Sequence, residues 1–175
     1  MKKLIISIII FQNLMLNAQD TIYNFHIEND NVIWKKGFKD SISFKELFIN
    51  CRASGLFDKI DTIDTRIFAE LKPFEGDYKG AGYSFMVAPF LISENHIKSF
   101  SIINWSKSGY YVLIKNISFE VTSDVGTGLF KLSKGETTTM EDYALTKKKV
   151  FKRSFDGDVA KILDFNFNKI FGNLK

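Results

Sequence analysis

Apolar positions along this chain change spacing in an order that predicts a strand, a helix, several strands and a final helix. In Asn31–Phe38, Asn-Val-Ile-Trp-Lys-Lys-Gly-Phe, Val32 and Trp34 alternate onto one face before Gly37 breaks the run, as in a strand. Ser43-Phe44-Lys45-Glu46 then forms a capping box: the serine hydroxyl can accept the Glu46 backbone N–H while the glutamate reaches back to the N–H of Ser43. Phe44, Leu47, Phe48 and Cys51 follow at helical spacing as one buried stripe, and Gly55 supplies a left-handed stop. Further strands are predicted over Thr62–Leu71, ending near Pro73, and over Tyr83–Ile92, where Pro89 requires an edge strand or a bulge.

The clearest local pattern is a long hairpin, Ile97–Trp105 with Tyr110–Val121, across the polar turn Ser106-Lys107-Ser108-Gly109. In its second arm the apolar set runs Tyr110, Val112, Ile114 and then switches parity to Ile117, Phe119, Val121. A bulge at Lys115 or Asn116 keeps one face buried throughout; the alternative is a strand covered on both faces. Gly126–Asp142, mixed and glycine-containing, predicts a loop, and Lys149–Phe155 a short last strand. Asp158 is positioned to cap a helix in which Val159, Ile162, Leu163, Asn166, Phe167, Ile170 and Phe171 recur at helical spacing, with Gly172 at its end.

The amino terminus adds a compartment. Lys2 and Lys3 precede Leu4–Phe11, an eight-residue apolar run with a single serine, and Asn17-Ala18-Gln19 follows. A span of hydrocarbon needs about 20 apolar residues, so the segment reads as a cleavable export signal over residues 1–18. The remainder, 19–175, is one domain with its core over about Asn31 to Phe171, and at this length a chain buries about 68–70% of its unfolded surface without a metal or disulfide. Loss of two lysines from the 24 basic residues leaves 22 against 20 acidic, so global charge names no partner. The single Cys51 excludes an internal disulfide and reads as a small buried hydrophobe. Cohesion falls to a core rich in aromatics, with 18 Phe, 6 Tyr and 2 Trp in the full chain.

Candidate chemistry is sparse. Two histidines, His26 and His96, lie far apart in sequence and offer no zinc spacing; Asp58, Asp61 and Asp64 recur at threes, whereas calcium loops alternate at twos, so no metal and no cofactor is expected. Gly76-Asp77-Tyr78-Lys79-Gly80-Ala81-Gly82 lacks the Gly-Lys-Ser/Thr ending of a phosphate loop and reads as a connection between strands. Ser84 has no nucleophile elbow around it. Two surfaces remain. Trp34, Trp105 and Tyr110 are candidate ligand or partner contacts, with packing in the core as their other reading. Lys147, Lys148, Lys149, Lys152 and Arg153 form a basic patch suited to acidic headgroups or an anionic polymer, with a solvated strand edge as its other reading.

Val32-Ile33-Trp34-Lys35-Lys36 leading into the capped helix, Asp77 to Tyr83 before Pro89, and Ser108-Gly109-Tyr110-Tyr111-Val112-Leu113-Ile114-Lys115-Asn116-Ile117 together resemble exported Bacteroidota proteins of unknown function whose domain has a TATA-binding-protein-like fold. The usual Lys-Asp-Gly turn with arginine after the tyrosine stands here as Lys107-Ser108-Gly109 and Tyr111. The resemblance brings no activity with it, and sharing a fold with a DNA-binding protein licenses no nucleic-acid partner. The residues themselves agree on an α+β domain with a curved, mostly antiparallel sheet and two main helices on one face. The expected function is a non-catalytic binding module of the cell envelope, periplasmic or secreted, whose partner is an envelope component or another exported protein. The alternative is a hydrolase-type enzyme with a polar site assembled from residues distant in sequence. No membrane-spanning segment is expected in the processed chain.

Overall fold

The computed structural model describes residues 21–124 and 133–174. The expected export signal over residues 1–18 and the first part of the expected Gly126–Asp142 loop lie outside the described residues. In chain order the elements are β1 (Thr21–Ile22), β2 (Phe25–Glu28), β3 (Asn31–Lys39), α1 (Phe44–Ala53), β4 (Phe57–Ile63), β5 (Arg66–Glu75), α2 (Phe90–Ser93), β6 (Asn95–Ser106), β7 (Gly109–Val121), β8 (Thr137–Thr139), α3 (Met140–Ala144) and α4 (Asp158–Gly172). The strands form one antiparallel sheet in the order β1-β2-β3-β7-β6-β5-β4, with β8 beside the end of β7.

The hairpin β6–β7 is the middle of that sheet, and its parity switch is resolved as the alternation requires. Lys115 faces Phe100 and Ser118 faces Lys98, so Asn116 and Ile117 stand opposite Ser99 alone, with Asn116 at φ 54°. Tyr110, Val112, Ile114, Ile117, Phe119 and Val121 are thereby all buried on one face. A second bulge lies on the other side of β6: Leu71 faces Ser99 and Phe74 faces Ile97, leaving Lys72 and Pro73 opposite Lys98. Proline, which has no N–H to give a ladder, fits that position.

The capping box at Ser43 forms in full, with Glu46 N–H 3.2 Å from the Ser43 hydroxyl and Ser43 N–H 3.0 Å from Glu46 Oε2. Leu47 and Cys51 face the core, Phe44 and Phe48 pack at its margin, and the chain turns at Gly55 with φ 69°. Helix α4 covers the same side of the sheet. Its Phe167 and Phe171 rings lie 5.5 and 6.3 Å from Trp34, and Phe25 meets Phe155 edge-on at 5.3 Å. Across the opposite face runs the register row Lys35, Leu113, Ile102, Phe68, Asp61.

Five expectations change. Thr62–Leu71 is not one strand but parts of two, β4 and β5, joined at Asp64 (φ 54°) and Thr65; a turn without glycine conceals the reversal. Tyr83–Ile92 is a turn followed by α2, because Pro89 opens a helix rather than interrupting a strand. Lys149–Phe155 reduces to a single bridge, Leu145 with Phe151. The described part of Gly126–Asp142 contains β8 and the start of α3, capped by the Thr139 hydroxyl. Asp158 is the first residue of α4 rather than its cap, and its carboxylate takes the Tyr83 hydroxyl instead. The sheet also starts before Asn31, with β1 and β2 placing Phe25 fully inside.

Candidate functional site

Where the β5 bulge swings Lys72 and Pro73 out of the ladder, it opens a cleft against the outer turns of α4. The cleft has a volume of about 420 Å³ and is walled by Leu56, Leu71, Pro73, Phe74 and Ile170, with Asp77, Asn166, Lys169 and Asn173 along one side. Its polar side is built by α4 and its cap together with Asp77 of the Gly76–Tyr83 connection, which runs as a strap alongside the helix.

Two residues of α4, Asn166 and Lys169, fasten the strap. Asn166, 4% exposed, donates from Nδ2 to the Ile162 carbonyl at 2.7 Å and accepts the Asp77 N–H at Oδ1 at 2.9 Å. A polar side chain can lie in an apolar stripe only with such partners. The Asp77 carboxylate takes a hydrogen bond from Lys169 Nζ at 2.8 Å and from the Gly80 N–H at 2.7 Å. Lys169, then the Gly80 amide, holds the Asp77 carboxyl below the usual carboxylate range. At the far end Tyr83 Oη donates to Asp158 Oδ1 at 2.9 Å, with Lys161 Nζ 5.2 Å from the centre of the tyrosine ring. Gly76, where the strap leaves β5, lies against Ile92 and Ile97, with no room for a Cβ.

An acid kept ionised is a poor proton donor at neutral pH, so Asp77 suits an anchor better than a general acid. The arrangement can bind: an apolar floor, an ammonium–carboxylate pair at the rim, and amide groups between. Among the described residues no group of three His, Cys, Asp or Glu side chains could hold a metal ion, and no helix is long and apolar enough to cross a membrane.

The residues expected from sequence lie elsewhere. Trp34 is fully buried and its Nε1 donates to Asp164 Oδ1 at 2.8 Å. Tyr110 is buried, stacks on Phe38 at 5.2 Å and donates its hydroxyl to the Phe171 carbonyl at 2.5 Å; burial pushes its pKa up to about 12. Trp105 is half-buried, donates to the Ile42 carbonyl at 2.8 Å and meets Phe44 edge-on. Of the two readings given to Trp34 and Tyr110, burial agrees with core packing, beneath α4, where each has its polar atom committed inside. Lys147, Lys148 and Lys149 are exposed on a tight hairpin closed by the Leu145–Phe151 bridge and Arg153 is exposed just beyond it, while Lys152 Nζ donates to the Asp142 carbonyl at 2.7 Å. This hairpin is at the opposite end of α4 from the cleft. Sequence reading missed Asn166 and Lys169 as site residues; the one local signal was an asparagine within an apolar helical stripe.

The chain matches no family model and no curated protein by sequence. Its architecture does have solved counterparts. A TBP-like protein from Parabacteroides distasonis superposes with a TM-score of 0.51 over 85% of this chain and 92% of its own, at 13% identity. The fold is TBP-like. A DUF4468 family protein from Bacteroides ovatus gives a TM-score of 0.51 at 11% identity, over 87% of this chain and 88% of its own. The TBP-like sheet and its two long helices thus agree with the sequence-based α+β expectation, and at such identities the likeness concerns the fold alone.

Proposed function

We propose that this TBP-like protein is a non-catalytic binding module of the bacterial cell envelope, carried across the membrane by its leader, and that it takes a small amphipathic ligand in the cleft beside α4. The carrying observation is the cleft itself. Its volume of about 420 Å³ falls within the range of roughly 300–1,000 Å³ usual for small-molecule sites, and an apolar floor with few polar groups at one rim is their usual chemistry. An apolar body would rest on Leu56, Phe74 and Ile170, and an acidic or amide head would meet Lys169 and Asn173.

The probe that tests this is anilinonaphthalene sulfonate, which joins fused apolar rings to an anion. Saturable fluorescence enhancement with the native protein is expected. Ile170→Trp, which fills the cleft, and Leu56→Asp, which charges its half-exposed floor, should each weaken binding about tenfold or more while circular dichroism stays unchanged. Absence of saturable binding, or binding indifferent to both substitutions, overturns the reading.

A further inference from the structure

A different end of the molecule exposes a run of apolar residues. After Tyr83 is tied to Asp158, the chain makes one turn, with the Val87 and Ala88 N–H groups 3.2 and 3.0 Å from the Ser84 carbonyl. That turn displays Phe85, Met86 and Val87 at 60%, 90% and 61% exposure, with Phe90 at 42% beyond Pro89. Three consecutive large apolar residues on an exposed turn cost solvation and gain nothing from the core. The basic hairpin is nearby: Phe151 stacks on Phe155 at 5.2 Å, and Phe155 precedes Asp158 by three residues. Both features therefore flank the same short segment, 155–158, at the amino-terminal end of α4. The acids there, Glu141, Asp142, Asp156 and Asp158, keep their charge when they accept hydrogen bonds from neutral donors, so four carboxylates stand against six cations, Lys147, Lys148, Lys149, Lys152, Arg153 and Lys161, and the end retains a positive excess of two.

We infer that this end docks on an anionic lipid surface, with Phe85, Met86 and Val87 entering the headgroup region and the lysine hairpin meeting the phosphates. An apolar turn this exposed can enter a deformable bilayer, whereas a protein partner would have to offer a matching groove. The adjoining cations supply the charge complementarity that a bare apolar tip lacks; each contributes roughly 1 kcal/mol of attraction near an anionic membrane. The inference is independent of the cleft, since the two surfaces share no residue.

The test uses the chain from Gln19, which retains every described strand and helix and omits the leader, itself apolar enough to bind vesicles. Co-sedimentation is expected with mixed phosphatidylcholine–phosphatidylglycerol vesicles at low salt and not with phosphatidylcholine alone. The combined reversal K147E, K148E and R153E should lower the bound fraction about tenfold or more. Met86→Trp should shift its emission to the blue on the mixed vesicles, a readout of insertion that needs no loss of function. Equal binding to both vesicle types, full binding by the reversed variant, or Met86→Trp emission indifferent to lipid each overturns the inference. So does a concentration-dependent dimer that forms in place of vesicle binding and is lost in Met86→Ser, since it assigns the tip to a second copy.

Discussion

The indole nitrogen of Trp34 sits 2.8 Å from Oδ1 of Asp164, joining the third strand to the last helix through one carboxylate. The same oxygen accepts Asn24 Nδ2 at 2.6 Å, and Oδ2 accepts Asn168 Nδ2 at 2.9 Å. Asp164 thus fastens the amino-terminal hairpin, β3 and α4 together. Removing it strands a fully buried indole N–H, at a cost of about 1–3 kcal/mol. Asp164→Ala should lower the urea midpoint accordingly, with the slope of the transition unchanged. Trp34→Phe combined with Asp164→Ala should lose less than the two single changes added, since they share a bond.

Gly76 should tolerate no side chain. A Cβ there meets the side chains of Ile92 and Ile97, both fully buried, so Gly76→Ala should destabilise by about 1–3 kcal/mol through overpacking. Adding Ile92→Val should recover part of that loss in the same denaturation experiment. Full tolerance of alanine would mean that the strap does not leave β5 along this path.

The strap should loosen in acid. Because the folded Asp77 carboxyl is held below its unfolded value, chiefly by Lys169 and then by the Gly80 amide, the stabilisation is complete above the ordinary aspartate range and is lost as pH falls through the folded value. Both partners are partly solvent-exposed, so the effect on global stability is small, and the local readout is the better one. Hydrogen exchange at the Gly80 amide, corrected for intrinsic rate, should accelerate below about pH 4. Asp77→Asn should remove that pH dependence, and Lys169→Ala should move it to higher pH.

Cys51 should be inert until the protein opens. It is 1% exposed, and burial pushes its thiol up to about 12. Aromatic disulfide reagents should label it at about pH 8 only at the rate of unfolding, and at once in denaturant. Its folded value being raised, stability is intact below the unfolded thiol's range and declines as pH climbs through it toward about 12; buried Tyr110 acts with the same sign. Cys51→Ala should flatten part of that alkaline slope in urea titrations.

Elements whose burial follows one period were legible in the chain: β3, α1, the β6–β7 hairpin and α4 all declare themselves by which positions are apolar. The bulge at Asn116 was readable because parity cannot switch within a regular strand that keeps one face buried. What failed were reversals without the residues that usually mark them. Asp64-Thr65 turns the chain between β4 and β5 with no glycine, and Pro89 opens a helix where an apolar context suggested a strand. The cleft was out of reach for a different reason. Asp77 and Asn166 are separated by 89 positions, and only the antiparallel return of the sheet and the docking of α4 bring them together. Local spacing carries no record of such a meeting.

The two bulges facing each other across β6 have a mechanical consequence. Sliding β6 by one residue against either neighbour would require that neighbour's extra residues to migrate along their own strand, and Pro73 and Asn116 mark where each belongs. The central hairpin of the sheet is keyed from both sides at Lys98 and Ser99, so a mispaired hairpin cannot be absorbed by a simple slip and has to separate before it can be corrected.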